Sequence, residues 1–380
     1  MLKQQNKKVL LCAPTGRASK RLTETSGIEA KTIHRALEMN PADGDGIFHR
    51  NENNPIDADV VIIDEMSMVD ATLFYHLLKA VRSTTRIILV GDKDQLPSVG
   101  AGNVLRDLIE SKKVHTTQLV NIYRQGEDSL IISNAHLINN GKMPIIDNTS
   151  KDFFYEAGKD SVANSETIVD LVTTRLPKYF GYKPTDIQVL APMKAGPCGI
   201  DNLNKRLQMT INPYFSGLEI NTDFTKFHTG DKIMQTSNNY EMEYVKYEAN
   251  GMVQEGTGVF NGDIGYITRI EPETFEVTVT FDDGKICKYQ KTDLYQISLA
   301  YAITIHKSQG SEFDCVVIPL VPGAPIIVTR NLLYTAITRA KKTVVLVGSK
   351  QLLARMIHNN YTAKRYTLLK DFLIEEFSNN

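Results

Sequence analysis

Short, unbroken apolar runs punctuate the chain at Val9–Ala13, Val60–Ile63, Ile87–Val90, Ile187–Leu190, Val316–Leu320 and Val344–Val347. Runs of this length without alternation are what strands buried on both faces require, and helical patterns lie between them. The pattern predicts an α/β chain with parallel sheets. In such sheets ligands bind beyond the carboxyl ends of the strands. The residues just past the first three runs are Pro14-Thr15-Gly16-Arg17, Asp64-Glu65 and Gly91-Asp92. These carry the chemistry, and a shared sheet would bring them to one edge.

From about His228 to Ile297 the pattern changes to short alternating strands with tight turns, as in Asp231–Thr236, Gly265–Ile270 and Phe275–Phe281. Asp282-Asp283-Gly284-Lys285 reads as a hairpin turn. The α/β pattern returns at Leu299, so this stretch predicts a small β-barrel inserted into the second half. Asn40–Pro55 is polar and turn-rich, with Asp43-Gly44-Asp45-Gly46 near its centre. It reads either as a plain surface loop or as a short protruding hairpin.

Length and composition change this picture little. The 380 residues suffice for two or three domains, and 42% hydrophobic with 23% charged residues is ordinary globular composition. The net charge of −1 announces no polyanion partner. It does not exclude one either, because a local basic groove is what binds phosphates. The four cysteines, Cys12, Cys198, Cys287 and Cys315, form no C-x-x-C pair. Three of them fall in apolar strand-like runs, which predicts buried thiols in a reducing compartment. No run is long enough to span a bilayer and no signal-peptide pattern appears, so a cytoplasmic protein is expected.

Several segments carry candidate chemistry. Val60–Ile63 ends in the adjacent carboxylates Asp64 and Glu65. A nucleotide hydrolase uses such a pair to hold Mg²⁺ and to polarise the attacking water; an acidic helix N-cap after a strand reads the same way. Ile87–Val90 runs into Gly91-Asp92-Lys93-Asp94-Gln95-Leu96-Pro97, which can set a neutral amide beside a terminal phosphate. A plain turn leaves Gln95-Leu96-Pro97 and Ser98-Val99-Gly100 unexplained. Asn121–Gln125 and Tyr334–Ala340 each present an arginine, Arg124 and Arg339, in a polar-flanked context. Such arginines can meet phosphate charge, although surface arginines are common. Thr304–Phe313 combines hydroxyls, His306, Lys307 and Gly310 just before a buried strand, a mixture suited to phosphate-backbone contact.

Read in order, these segments resemble the helicase motifs of superfamily 1, specifically those of the RecD-like family (exodeoxyribonuclease V alpha chain, RecD-TraA type). Ala13–Leu22 resembles motif Ia, Asp64–Met68 motif II, Gly91–Gly100 motif III, Tyr123–Gln125 motif IV, Thr304–Phe313 motif V and Tyr334–Lys341 motif VI. The resemblance runs from about residue 8 to about residue 350. It implies two RecA-like lobes of the P-loop NTPase fold, with ATP between them, single-stranded DNA across their tops and an inserted SH3-like β-barrel. The expected domains are 1–115 for the first lobe with a hairpin insertion at about 40–55, 116–225 with 298–380 for the second lobe, and 226–297 for the barrel.

The same resemblance implies roles. Asp64 would hold Mg²⁺, Glu65 would act as catalytic base and Gln95 as the coupling residue. Arg124 and Arg339 would be arginine fingers, with Gly310 and Glu312 beside the nucleotide. Pro14, Thr15, Arg17, His34, Thr304 and His306 would touch DNA. The hairpin would act at a duplex junction, travel would be 5′→3′, and other repair or recombination proteins would be possible partners.

One departure stands out: no G-x-x-x-x-G-K-S/T occurs in the 380 residues. The strand Lys8–Ala13 begins almost at once, and Leu2–Gln5 reads as the tail of the helix that should follow a phosphate-binding loop. The expectation is an N-terminally incomplete motor that is inactive on ATP by itself, with apolar strand edges exposed. A nucleic-acid-binding module with a degenerate ATP site is the alternative. A relaxase would need a nucleophilic tyrosine and a histidine metal cluster at spacings not found here. A nuclease would need a carboxylate cluster beyond Asp64-Glu65.

Overall fold

The computed structural model describes residues 5–39, 47–119, 129–213, 218–222, 225–248, 251–361 and 365–378. The chain divides into two compact units, Met1–Tyr123 with Thr362–Asn380, and Arg124–Tyr361.

The first unit is built on four strands: β1 (Val9–Ala13), β2 (Ala30–Thr32), β3 (Val60–Ile63) and β4 (Arg86–Leu89). They run parallel in the order β2-β1-β3-β4, with Cys12 beside Ile63 and Ile63 beside Leu89. Unbranched access to both faces explains the apolar runs: Val61 and Ile63 are fully buried against helices such as Ala71–Lys79 and Val104–Ser111. β4 is different. Like β2 it lies at an edge of the sheet among the described residues, its side chains are half-buried or exposed, and Val90 just beyond it is 47% exposed.

The second unit opens with β5 (Phe153–Ala157) and β6 (Ile187–Ala191). It then enters an antiparallel region. A two-stranded pair, β7 (Glu219–Asn221) and β8 (Lys226–His228), is followed by β9 (Lys232–Gln235), β10 (Asn239–Tyr247), β11 (Val253–Val259), β12 (Ile264–Ile270), β13 (Val277–Phe281), β14 (Lys285–Tyr289) and β15 (Ile297–Leu299). β9 to β15 form one sheet with its own core around Val277, Val279, Phe281 and Tyr289. Gly284 turns β13 into β14 at a φ of 84°, where a side chain would be strained. The chain returns in β16 (Ala302–Thr304), β17 (Phe313–Pro319) and β18 (Ala340–Gly348), which join β5 and β6 in a parallel sheet ordered β16-β6-β17-β18-β5.

The antiparallel insertion is fastened to this parallel sheet by buried polar groups. Asp231, fully buried, accepts from Gln208 Nε2 (2.6 Å), the His228 amide (2.7 Å), Asn212 Nδ2 (2.8 Å) and Tyr301 Oη (3.0 Å). Lys232 donates to the Thr185 carbonyl at 2.7 Å and to Gln188 Oε1 at 3.1 Å. A charge removed from water needs such a full set of partners.

Two boundaries differ from the sequence expectation, since the first unit runs to Tyr123 rather than to 115 and takes back the end of the chain. Residues 362–380, assigned there to the second lobe, belong to the first unit. The helix Leu369–Glu376 lays Leu369 and Leu373 on the first unit's core, against the helix Val104–Ser111. Apolar burial decides where an amphipathic helix goes, not the lobe it follows in sequence. In the 40–55 segment, residues 40–46 lie outside the described residues. On either side of them Met39 and Phe48 form an antiparallel bridge, and the Phe48 ring packs 4.6 Å from that of His76 and 6.1 Å from that of His34. All four cysteines are unpaired and buried, and burial pushes the thiols up to about 12 at Cys12, Cys287 and Cys315 and about 11 at Cys198. Such thiols stay protonated and inert. Among the described residues no helix is long and apolar enough to cross a membrane.

Candidate active site

The first unit gathers its candidates at the carboxyl ends of β1, β3 and β4. Thr15 caps the helix Gly16–Ser26, its hydroxyl accepting from the Ala18 amide at 3.2 Å. That fixes Pro14 and Thr15 at the tip of β1, with Arg17 in the first helical turn. The Asp64 amide donates to the Cys12 carbonyl at 2.9 Å, so Asp64 and Glu65 emerge beside them. Val90 bonds back to Ile63, and the Met66 amide donates to the Val90 carbonyl at 2.9 Å, which draws the loop after β4 against the acidic pair. Gly91 permits this approach: a Cβ there would lie 2.9 Å from the Met66 nitrogen.

Backbone and side chains here are held in costly states. Glu65 has φ 52° and ψ 41°, the left-handed region, while its amide donates to Asp64 Oδ1 at 2.8 Å. A non-glycine residue held so costs of order 1 kcal/mol or more, and such positions cluster at functional sites. The acidic pair is therefore not a plain helix cap: Glu65 caps no helix with its side chain. Gln95 lies on a turn organised by Asp92, whose carboxylate accepts from the Asp94 amide at 2.9 Å and from Gln95 Nε2 at 3.4 Å. The other end of that amide, Gln95 Oε1, is buried with no hydrogen-bond partner, as is Ser67 Oγ on the turn after Glu65. Orphaned buried polar atoms are rare, and of these two Ser67 Oγ follows the acidic pair directly in sequence. Sequence reasoning passed over Ser67, although its position inside Asp64–Met68 was the available signal. His34 is the second residue of the short helix Ile33–Ala36 capped by Thr32; burial holds its imidazole below the ordinary range, partly opposed by the charge of Asp70.

The second unit gathers Thr304, His306, Gly310, Glu312 and Arg339. Thr304 ends β16, and its hydroxyl accepts from the Lys307 amide at 3.3 Å, shaping the turn that carries His306. Burial lowers the pKa of His306, and burial together with nearby Lys194 lowers that of Lys307. Lys194 lies in the Pro192–Gly199 loop after β6, the strand paired with β16. β6 runs directly into Pro192-Met193-Lys194-Ala195-Gly196-Pro197. Gly310 takes φ 73°, and Glu312 faces Lys341 at 3.9 Å.

Arg339 is held inside the second unit. It is 3% exposed, and its guanidinium donates to the Ser311 carbonyl at 3.2 Å and the Thr335 carbonyl at 3.3 Å. A cation inside the fold must be met by oxygens, and these stitch Thr304–Phe313 to Tyr334–Lys341. Arg124, the other arginine singled out, lies outside the described residues. Among the described residues no cluster of three or more His, Cys, Asp or Glu is arranged to hold a metal.

Comparison with known proteins bears on the family and the fold. Three family profiles match: one described as an AAA domain over residues 1–159, one as the ATP-dependent RecD-like DNA helicase SH3 domain over 203–281, and one as the UvrD-like helicase C-terminal domain over 299–347. The chain is 35% identical over 339 residues to the ATP-dependent RecD2 DNA helicase of Deinococcus radiodurans, covering 89% of this chain and 42% of that protein. It is 30% identical over 376 residues to the RecBCD enzyme subunit RecD of Mycolicibacterium smegmatis, covering 90% and 62%. It thus spans less than two thirds of either relative. Among solved structures, the Pif1 helicase from Bacteroides in complex with ADP-AlF3 and ssDNA superposes with a TM-score of 0.54 at 19% identity, covering 98% of this chain and 88% of that one, which shows a shared fold. From the ordered motifs, the inserted antiparallel domain and these relatives, the chain belongs to the RecD-like family of superfamily 1 helicases.

Proposed function

We propose that the chain is the motor portion of an ATP-dependent DNA helicase or translocase that moves 5′→3′ on single-stranded DNA at duplex ends or junctions. The observation that supports this is that Asp64 and Glu65 emerge at the carboxyl end of β3, while Gln95, with a partnerless Oε1, lies in the loop that follows β4, the strand paired with β3. Asp64, whose carboxylate accepts from the Glu65 amide, would hold Mg²⁺, which would supply charge to the phosphates. Glu65 takes the proton of the attacking water, and Gln95 orients that water through its free amide oxygen. Arg339, by this reading, leaves the Ser311 carbonyl to meet growing phosphate charge. Pro14, Thr15, Arg17, His34, Thr304 and His306 hold the phosphate backbone of the strand. Mg²⁺-ATP itself would supply the energy of stepping.

The acidic pair fits the metal end of a nucleotide, but the 380 residues contain no G-x-x-x-x-G-K-S/T to cradle the phosphates and neutralise them. The chain by itself is therefore expected to bind single-stranded DNA without turning over ATP. Fluorescence anisotropy with a labelled oligonucleotide tests the first half: binding should be present at low salt and fall linearly in log K against log salt. No binding at low salt would sink the helicase reading. Phosphate release, measured beside a RecD-type helicase with an intact P-loop, tests the second. Multiple turnover at the control's rate overturns it.

The missing phosphate loop favours a second reading, a DNA-binding module with a degenerate ATP site. Under it, Asp64→Ala and Gln95→Ala would leave every nucleotide-dependent change in DNA affinity untouched. The bridged base of the 40–55 segment supports a role at junctions. Deleting 41–46 should abolish any preference for forked over plain single strands and spare single-strand affinity.

A further inference from the structure

We infer that Arg365 is a positioning residue: it clamps the far leg of the Gly91–Gly102 loop and so holds Gln95 in place. After the second unit ends at Tyr361 the chain rejoins the first, and Arg365 precedes the helix Leu369–Glu376. Its Nη1 donates to the Gly100 and Gly102 carbonyls, both at 2.6 Å, and to Ser98 Oγ at 3.2 Å; Nη2 donates to the Ser98 carbonyl at 2.5 Å. One planar cation thus gathers three carbonyls from a five-residue stretch, a task for a rigid fork of donors that a lysine cannot perform.

The rest of the tail grips the helix into which the loop leads. Thr367 Oγ1 donates to Asp107 Oδ2 at 2.8 Å, and Lys370 reaches Glu110 at 3.2 Å. On its opposite side the far leg has no slack. A Cβ on Gly100 would fall 2.1 Å from Asp70 Oδ2, and one on Gly102 would fall 2.9 Å from Ala71 Cβ. The near leg carries Gln95, whose buried Oε1 has no partner. Such an amide gains by swinging out to water unless its backbone is held. Asp92 holds it from one end and Arg365, through the loop, from the other.

This inference rests on the reading of Gln95 as the water-orienting residue, and the test separates the two. The chain has no tryptophan, and Val99, at the tip of the loop, is 91% exposed, so Val99→Trp gives a single reporter indole. In that background Arg365→Ala should lower the indole anisotropy and speed amide exchange across residues 98–102 by about tenfold or more, with β1 and β3 amides unchanged. The Gln95 side-chain amide resonance, assigned by its loss in Gln95→Ala, should collapse to the position of a solvated glutamine. Millimolar guanidinium should restore both signals, and Arg365→Lys should restore little. Unchanged loop exchange overturns the clamp. Equal acceleration of β1 and β3 amides also overturns it, leaving Arg365 a general stabiliser. A loosened loop with an unmoved Gln95 resonance overturns the link to Gln95. Failure of the functional reading would appear in the DNA-binding measurements and leave these spectra as expected.

Discussion

The two parallel sheets of this chain are made from apolar runs of similar length and composition, yet they are buried to different depths. In the second unit β6 is buried at every residue and β17 at all but one, with a neighbour on each side. In the first unit β3 is almost as deep, but β4, with the sequence Arg-Ile-Ile-Leu, is nowhere fully buried. An apolar run states that a strand wants two covered faces and two paired edges; only its neighbours decide whether it has them. β4 lacks one edge partner among the described residues, and the polar backbone it leaves unpaired is a site where another strand would add. The difference predicts unequal stability.

The largest expected effect comes from matched truncations. Ile63→Ala in the first core and Ile187→Ala in the second remove the same atoms from sites with 0% and 1% exposure, each at a cost of about 2–5 kcal/mol. If the first unit has the smaller reserve, Ile63→Ala should unfold it outright at 25 °C, while Ile187→Ala should only lower the second unit's midpoint. Hydrogen exchange resolved by peptide would report both. A first unit that outlasts the second would break the comparison.

Next in size is Gly91→Ala. Its methyl would press on the Met66 backbone at 2.9 Å and on Leu105 at 3.1 Å, and overpacking of that kind costs about 1–3 kcal/mol. The loss should be confined to the first unit, with exchange rising first in the turn after Glu65. Smaller still is Val90→Lys. At an exposed position it should change stability by no more than about 0.5 kcal/mol. It should nonetheless reduce concentration-dependent association, measured by sedimentation, because a charge at the bare edge discourages strand addition. Unchanged association would mean the edge is not sticky.

The strands were legible because burial on both faces writes itself into contiguous residues. Val9–Ala13 and Val60–Ile63 are found where the apolar runs end, and the antiparallel insertion follows its alternation and its Gly284 turn. The candidate residues of the first unit were legible for the same local reason, since each lies just beyond a strand. What stayed hidden depends on distant partners. Leu369–Glu376 announces an apolar face but not which core it covers. Nothing in the sequence marks Arg365 or tells which oxygens Arg339 meets, and only the carbonyls folded around them do so. The left-handed Glu65 carries no sequence mark at all, because nothing in a glutamate asks for that conformation.

The smallest effect is a proton on each side of the comparison. His34 in the first unit and His306 in the second are both held below the ordinary imidazole value of 6.5 by burial, and only His34 has a carboxylate, Asp70, pulling it back. The folded chain thus favours neutral rings, while the unfolded chain takes up protons once the pH falls through about 6.5. Stability from these sites is therefore complete above that value and is lost as the pH falls toward the lower folded values. Imidazole resonances followed by NMR should show both titrating below 6.5. Asp70→Asn keeps an acceptor for the Leu73 amide, now 2.8 Å from Oδ1, but removes the charge. It should lower the His34 midpoint further and leave His306 where it was; movement of both, or of neither, would show that Asp70 is not what distinguishes them. Because each ring gains positive charge as it titrates, and both are proposed DNA contacts, single-strand affinity should rise over the same interval in which the fold weakens. If affinity stays flat while both rings titrate, neither histidine faces a phosphate.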